Sequence, residues 1–245
     1  MTAFQDWLAA AAARRRDLGL VRSTPVIDPA DPMLDLAGND YLGLRTHPAV
    51  VAGAVAAATA YGGGAGASRL VTGTLPIHAD LEAALCALTG APAGLVFSTG
   101  YAANLAAVTA LTDGDTLVIS DAHIHASLVD AARLSRASVE VARHNDVAHV
   151  AALLAARAQP RAMVLVESVY SVLGDAAPLA ELHEVCRAHG AVLLIDEAHG
   201  IGVTGDHGQG SAAALGIAAD PQVVLTLTLS KSLASQGGAV LGSPE

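Results

Sequence analysis

The chain has almost no lysine. Of its 13 basic residues twelve are arginine, and the one lysine is Lys231. Aromatic residues make up only 3% of a 245-residue chain whose hydrophobic fraction is 53%, so any core has to be built from Ala, Val and Leu. Cysteine is scarce too. Cys86 and Cys186 stand apart, without the paired spacing of a metal site, which points to a reduced, cytoplasmic protein. Basic clusters are few and the net charge is -10, which argues against nucleic acid or an anionic membrane as partner. No apolar run approaches the roughly 18 residues that span a bilayer. At the start, the apolar stretch from Trp7 to Ala13 precedes Arg14-Arg15-Arg16, the reverse of a secretory signal.

What the chain does contain is a regular alternation. Thr2-Ala3-Phe4-Gln5 matches a capping box, and Phe4, Trp7, Leu8, Ala11 and Leu18 recur at helical spacing, so a helix is expected to end near Gly19. Residues 28–32 form a turn-rich break, and Leu34-Asp35-Leu36 reads as a short strand. Pro48 fits the first position of a helix running to about Tyr61. From residue 76 onward helices and strands alternate. Helices are expected near 76–89, from Gly100, at 126–135, at 146–157 and from Pro178 to Gly190. Strands are expected at 94–97, 116–119, 138–142, 162–166, 191–195, 223–227 and 239–241. Continuous apolar strands between amphipathic helices imply an α/β, three-layer fold, a mostly parallel sheet covered by helices on both faces. The expected division is an N-terminal helix and arm over 1–45 and one large domain over 46–245.

Two readings of Lys231 stand at this point. It sits in Leu225-Thr226-Leu227-Thr228-Leu229-Ser230-Lys231, an apolar run that ends in hydroxyls. An amine can form a Schiff base with a carbonyl and a guanidinium cannot, which makes it a chemical group. Alternatively, an arginine-rich composition has left one lysine by chance. The polar residues elsewhere decide between these. In open α/β sheets ligands bind beyond the carboxyl ends of the strands. There the sequence places Ser98-Thr99-Gly100-Tyr101, then Asp121, His123 and His125, then Glu167, Ser168 and Ser171, then Asp196, Glu197 and His199, and finally Thr228, Ser230 and Lys231. The helix start at Gly100 and Tyr101 offers backbone N–H groups to a phosphate. Asp196 ends a buried apolar strand, where a carboxylate is costly without a cation partner such as a protonated ring nitrogen. His199 could reach an oxygen of that ring, and His125 could stack on its face. A cofactor with a phosphate, a pyridine ring and an aldehyde for Lys231 satisfies them all, and that cofactor is pyridoxal 5′-phosphate.

Blander readings compete at single positions. His125 or His199 alone could be a structural histidine, Asp196 could cap the following turn, and His123-x-His125 could be half of a metal site. Asp196-Glu197-Ala198-His199 also spells a helicase box, but no phosphate-loop lysine precedes it. The glycine-rich stretch 62–68 follows a helix rather than a strand and lacks the lysine of a phosphate loop, so it reads as backbone that approaches a ligand or partner subunit closely.

Seven motifs run in one order over nearly the whole chain. They are Asn39-Asp40-Tyr41-Leu42-Gly43-Leu44, Gly66-Ala67-Ser68-Arg69-Leu70-Val71-Thr72-Gly73, His78-Ala79-Asp80-Leu81-Glu82, Ser98 to Asn104, His125-Ala126-Ser127-Leu128, Asp196 to Gly200, and Thr228 to Lys231. In them the chain resembles the α-oxoamine synthases, pyridoxal-phosphate enzymes of the type I fold. The resemblance implies that Lys231 holds the cofactor and then takes the Cα proton of an amino acid. It implies that Asp196 keeps the ring nitrogen protonated, that His199 and Ser171 contact the ring hydroxyl, and that Gly100, Tyr101 and Thr228 hold the phosphate. His125 would stack on the ring and meet the substrate, and Arg22 would bind the acyl substrate. The similarity is greatest to the members that condense L-alanine with a pimeloyl thioester, on acyl carrier protein or coenzyme A, in biotin biosynthesis; the alternatives are a member that joins glycine to acetyl-CoA or succinyl-CoA or serine to palmitoyl-CoA, and a non-catalytic chain that binds the cofactor. A cytoplasmic homodimer, with no metal, is implied as well. The family carries a C-terminal small domain with an arginine for the amino acid carboxylate. Because this sequence stops at Glu245, a fragment lacking that domain, with weak or no turnover, is expected.

Overall fold

The computed structural model describes residues 2–28 and 34–245. It divides into two units, Met1–Gly38 and Asn39–Glu245. From residue 29 on, the turn-rich break expected at 28–32 lies outside the described residues.

In the first unit, helix α1 spans Ala3–Asp17. Its capping box forms: Gln5 N–H donates to Thr2 Oγ1 (3.3 Å) and Thr2 N–H donates to Gln5 Oε1 (2.8 Å). No residue of α1 is buried, and Phe4 and Trp7 stack on each other in the open, centroids 5.6 Å apart. The short strand expected at 34–36 is absent. Asp35 Oδ1 instead accepts the N–H groups of Ala37 (2.9 Å) and Gly38 (2.8 Å), a side-chain turn that takes the backbone out of any ladder.

The second unit opens with a 3-10 turn at Leu44–Thr46 and α2, Pro48–Tyr61, and continues with α3, Pro76–Thr89. Strands β1 (Ala93–Phe97), β2 (Thr116–Asp121), β3 (Ser138–Ala142), β4 (Arg161–Glu167), β5 (Val192–Asp196), β6 (Val223–Thr228) and β7 (Gly238–Gly242) follow. Between them lie α4 (Gly100–Leu111), α5 (Ala126–Leu134), α6 (Val147–Ala156), α7 (Leu179–Ala188) and the short α8 (Ser211–Ala214). Every strand expected from residue 94 onward is present, to within two residues at each end. Pro178 caps α7 rather than opening it.

All seven strands form one sheet in the order β1-β7-β6-β5-β4-β2-β3. Pairing is parallel from β6 through β5, β4 and β2 to β3, while β7 runs antiparallel to both β6 and β1. The period-2 alternation of each strand serves two cores. Leu193 and Ile195 face one apolar cluster, together with Leu85 of α3, Leu154 of α6 and Leu182 and Cys186 of α7. Leu194 faces the other, with Val108 of α4 and Leu128 of α5. Helices therefore cover both faces, the three-layer arrangement expected. Fully burying a Leu or Ile side chain is worth about 1.5–3 kcal/mol, so these paired layers, and not the sparse aromatics, hold the sheet.

The register fixes where chemistry can occur. Glu167 pairs with Asp196, Asp196 with Thr226, and Gly238 with both Thr228 and Phe97. The carboxyl ends of β1, β4, β5 and β6 and the start of β7 thus share one rim.

Candidate active site

At that rim a cleft of about 260 Å3 is lined by residues from six chain segments, among them Gly100, His125, Asp196, His199, Thr228 and Lys231. The floor is built from glycine. A Cβ at Gly238 would stand 2.5 Å from the Gly100 Cα, and a Cβ at Gly100 would stand 3.0 Å from the Thr228 Cβ. Only bare backbone lets the start of α4 settle between β6 and β7. Thr99 caps α4 by accepting the Ala102 N–H at its Oγ1 (2.9 Å), and its carbonyl accepts from Ala103. Gly100 and Tyr101, the next residues, line the cleft, and the N–H groups of a helix start such as this suit an anion.

Lys231 is half-buried, and its Nζ lies 2.6 Å from His199 Nε2. His199 Nδ1 lies 2.6 Å from the hydroxyl of Tyr41, which in turn donates to Asn39 Oδ1 (3.0 Å). Donor counting sets the directions. The Tyr41 proton is committed to Asn39, so His199 donates from Nδ1 and accepts from Lys231 at Nε2. Burial, then the lysine charge and that of His125, push His199 down to about 4, so it is neutral near pH 7. Burial also lowers the Lys231 amine, while Asp196 and Glu167 pull it back up.

Asp196 is buried, and each of its oxygens is matched. Oδ1 accepts the Ala198 N–H (2.9 Å) and Oδ2 accepts from Asn104 Nδ2 (2.8 Å). The turn-capping reading therefore describes one oxygen, and the other belongs to a network. Asn104 Nδ2 also donates to Ser127 Oγ (2.8 Å), which lies 2.8 Å from His125 Nδ1. His125 caps α5 through the same nitrogen, accepting the Ser127 N–H (3.2 Å). Glu167, 2% exposed, gives Oε2 to the Ser171 N–H (3.2 Å), while its Oε1 is buried without a partner. Burial, reinforced by the Asp196 charge, pushes its carboxyl up to about 7.

Most of the sequence-based site residues meet here. Gly100, Tyr101, His125, Asp196, His199, Thr228 and Lys231 all line the cleft. Ser171 does not; its side chain is exposed and its backbone serves Glu167. Arg22 is exposed and belongs to the N-terminal unit. His123 turns away from His125 to meet the ring of His144, centroids 4.6 Å apart, and no cluster of three metal-type ligands occurs among the described residues. Around Gly62, Gly63, Gly64 and Gly66 an added Cβ would meet open space, whereas at Gly73 it would collide with the Ala67 carbonyl. That contact is with the loop's own backbone, not with a ligand or a partner. Sequence reasoning gave no role to Asn104, although it follows Gly100 by four residues and so shares its helix face. Glu167 was placed on the rim without a function.

The model of the class I and II aminotransferases matches residues 31–245. The chain belongs to that family, among its α-oxoamine synthases. It is 55% identical over 236 residues to the 8-amino-7-oxononanoate synthase of Mycolicibacterium gilvum and 56% identical to that of Mycolicibacterium smegmatis. Those alignments cover 96% of this chain and 62% of each relative, so the chain spans under two thirds of their length. Among solved structures, the Sphingomonas wittichii serine palmitoyltransferase superposes with a TM-score of 0.86 at 33% identity, over 100% of this chain and 64% of that one. A second, described as a high-resolution structure of the enzyme with its pyridoxal-phosphate internal aldimine, gives 0.85 at 32% identity over 100% and 65%. An 8-amino-7-oxononanoate synthase from Francisella tularensis shares the fold at 24% identity and a TM-score of 0.74.

Proposed function

We propose that this chain binds pyridoxal 5′-phosphate and carries the cofactor half of an 8-amino-7-oxononanoate synthase, which joins L-alanine to a pimeloyl thioester with loss of carbon dioxide and of the thiol. The observation that carries the reading is the approach of the one lysine amine to a neutral histidine, in a cleft that also holds a buried aspartate and a free helix N-terminus. The donor set fits the cofactor group by group. The Gly100 and Tyr101 N–H groups, with Thr228, suit a phosphate. Asp196, already oriented by Asn104 and Ala198, suits a protonated ring nitrogen. His125 is held by Ser127 with its Nε2 left for the cleft, which suits stacking and substrate contact. When bound, pyridoxal phosphate supplies an electron sink for a carbanion at the amino acid Cα.

The chain's own groups supply the proton transfers. Lys231 Nζ, its basicity lowered by burial, takes the Cα proton and returns it at the product. His199 accepts a hydrogen bond from Nζ at Nε2 and donates one from Nδ1 to the Tyr41 oxygen, which fixes the direction of the amine. Ser171 and Arg22 keep their proposed roles toward ring hydroxyl and acyl substrate. For both, the support is the family resemblance alone. The relatives at 55–56% identity favour alanine and a pimeloyl thioester, on carrier protein or coenzyme A, over the serine and palmitoyl pair named in structures near 33%.

A homodimer in the cytoplasm completes the proposal. Its support is α2, which is almost wholly apolar yet has no buried residue, with Val51, Val55 and Tyr61 exposed. No helix among the described residues is long and apolar enough to cross a membrane.

The test is optical. The purified chain with pyridoxal phosphate is expected to show an absorbance band near the visible edge that Lys231→Ala abolishes. Adding alanine, glycine or serine in turn with pimeloyl-CoA is expected to perturb that band most with alanine. A band that survives Lys231→Ala removes the lysine role, and a response to serine or glycine alone removes the biotin assignment.

A further inference from the structure

Behind the cleft lies a second polar cluster that none of the roles above uses. Its centre is His144, which follows β3. Nδ1 of His144 lies 2.8 Å from Asp121 Oδ1, and Nε2 lies 2.8 Å from Asp175 Oδ2. Ionised carboxylates only accept, so an imidazole bonded to one at each nitrogen must donate from both and carries a proton on each. Asn145 runs alongside. Its N–H donates to Asp121 Oδ2 (2.8 Å) and its Nδ2 donates to Asp175 Oδ2 (2.9 Å) and to the Ala176 carbonyl (3.2 Å). The rings of His123 and Tyr170 meet His144 edge-on, at 4.6 and 4.5 Å. Asp121, Asp175, His123 and Tyr170 are therefore the titratable groups that face it.

Each carboxylate is tied to one wall of the cleft. Asp121 ends β2 and its Oδ1 also accepts the His123 N–H (2.8 Å). That bond shapes the turn in which His123 points to the cluster, Ile124 enters the core at 8% exposure and His125 reaches the cleft. Asp175 closes the hairpin across the Val169–Ala176 bridge, its carbonyl accepting the Tyr170 N–H (2.9 Å). The same hairpin delivers the Ser171 N–H to Glu167.

We propose that His144, clamped between Asp121 and Asp175, is a positioning residue for the cofactor site: it locks the turn that carries His125 to the hairpin that holds Glu167. This rests on the cofactor reading above, and it assigns no contact between His144 and cofactor or substrate. Burial works against the imidazolium, but the bonds to Asp121 and Asp175 outweigh it and raise its pKa. A group raised in the folded state contributes fully below its unfolded value and loses that contribution as pH rises through the folded value. The clamp therefore opens on the alkaline side, when one nitrogen loses its proton and one bond with it.

His144→Gln replaces two opposed donors with one amide that cannot span both carboxylates. His183→Gln is the comparison, because His183 is also buried and bonded to a carboxylate, Asp220 at 3.0 Å, but lies on α7 away from the cleft. Pyridoxal phosphate affinity is read by absorbance titration, cofactor geometry by its induced circular dichroism, and fold by Tm. His144→Gln is expected to weaken affinity by about tenfold or more, the scale of a charged hydrogen bond, and to alter the induced band, at a Tm no lower than that of His183→Gln. Wild-type affinity and dichroism in His144→Gln, or a loss that only follows Tm as in His183→Gln, overturns the proposal. If His144→Gln fails to fold, nitrogen-15 NMR of the wild-type chain without cofactor decides. The His125 resonances are expected to shift with the midpoint at which His144 loses its proton, and their indifference to it overturns the clamp. A wild-type chain with no lysine-dependent band would sink the cofactor reading alone, since the NMR titration reads the clamp without it.

Discussion

Glu167 and His199 flank the same amine and respond to acid in opposite senses. Burial raises Glu167 to about 7 from 4.5 and lowers His199 to about 4 from 6.5. An acid raised by folding binds more protons native than unfolded across that window, so its contribution to stability falls as pH climbs from 4.5 to 7. A histidine lowered by folding binds fewer, so its contribution grows as pH climbs from 4 to 6.5. In the wild type the two slopes largely cancel. Glu167→Gln is therefore expected to make stability rise more steeply with pH between 4.5 and 6.5, by an amount on the order of 3 kcal/mol for the full carboxyl shift. Urea midpoints across that range check it, and an unchanged profile would mean that Glu167 ionises freely. Legibility at this scale was uneven. Lys231 stood out by scarcity, and Asp196 by ending an apolar strand. Asn104 did not, because one amide on an Ala-rich helix has no periodic signature; its role comes from a partner 92 positions away.

Among the elements, α4 meets β6 and β7 backbone to backbone. Gly238→Ala puts a methyl 2.5 Å from the Gly100 backbone, with no flexible side chain to yield. It is expected to cost about 1–3 kcal/mol of stability and, unlike an ordinary core change, to weaken phosphate and pyridoxal-phosphate binding in the same protein. Thermal melts paired with cofactor titration check this. Leu194→Ala is the contrast. Leu194 is fully buried in the layer beneath α4 and α5, so its loss is expected to cost about 2–5 kcal/mol while cofactor affinity in the folded fraction stays put. Element existence was readable from residue 76 on, because mostly apolar strands of three to five residues alternate with amphipathic helices. The direction of β7 was not: a five-residue strand looks alike whichever way it runs, and only its pairing with β1 and β6 defines it. The false strand at 34–36 has a local cause, since Asp35 offered the backbone a turn that the alternation of Leu34 and Leu36 concealed.

For the molecule as a whole, α2 is the outstanding surface. It spans Pro48–Tyr61, as its sequence predicts, with Gly62 as its C-cap, and none of its residues is buried among the described residues. Val55→Glu, at a position 61% exposed, is expected to leave the Tm of the isolated chain nearly unchanged and to shift sedimentation from dimer to monomer. A wild-type monomer would refute the homodimer proposal. The three-layer class was legible because apolar strands demand cover on both faces.

The placement of β7 has a consequence for how the protein is made. β1 is an edge strand whose ladder partner is β7, with Ala93 opposite Gly242. A ribosome therefore releases β1 and the N-terminal end of α4 long before the strand that joins them to the Lys231 segment exists. Until then β1 is an open template for other chains. The cleft takes shape only once β7 has inserted between β1 and β6, so a chain cut back before Gly238 is expected to leave β1 unpaired and to self-associate, which light scattering checks.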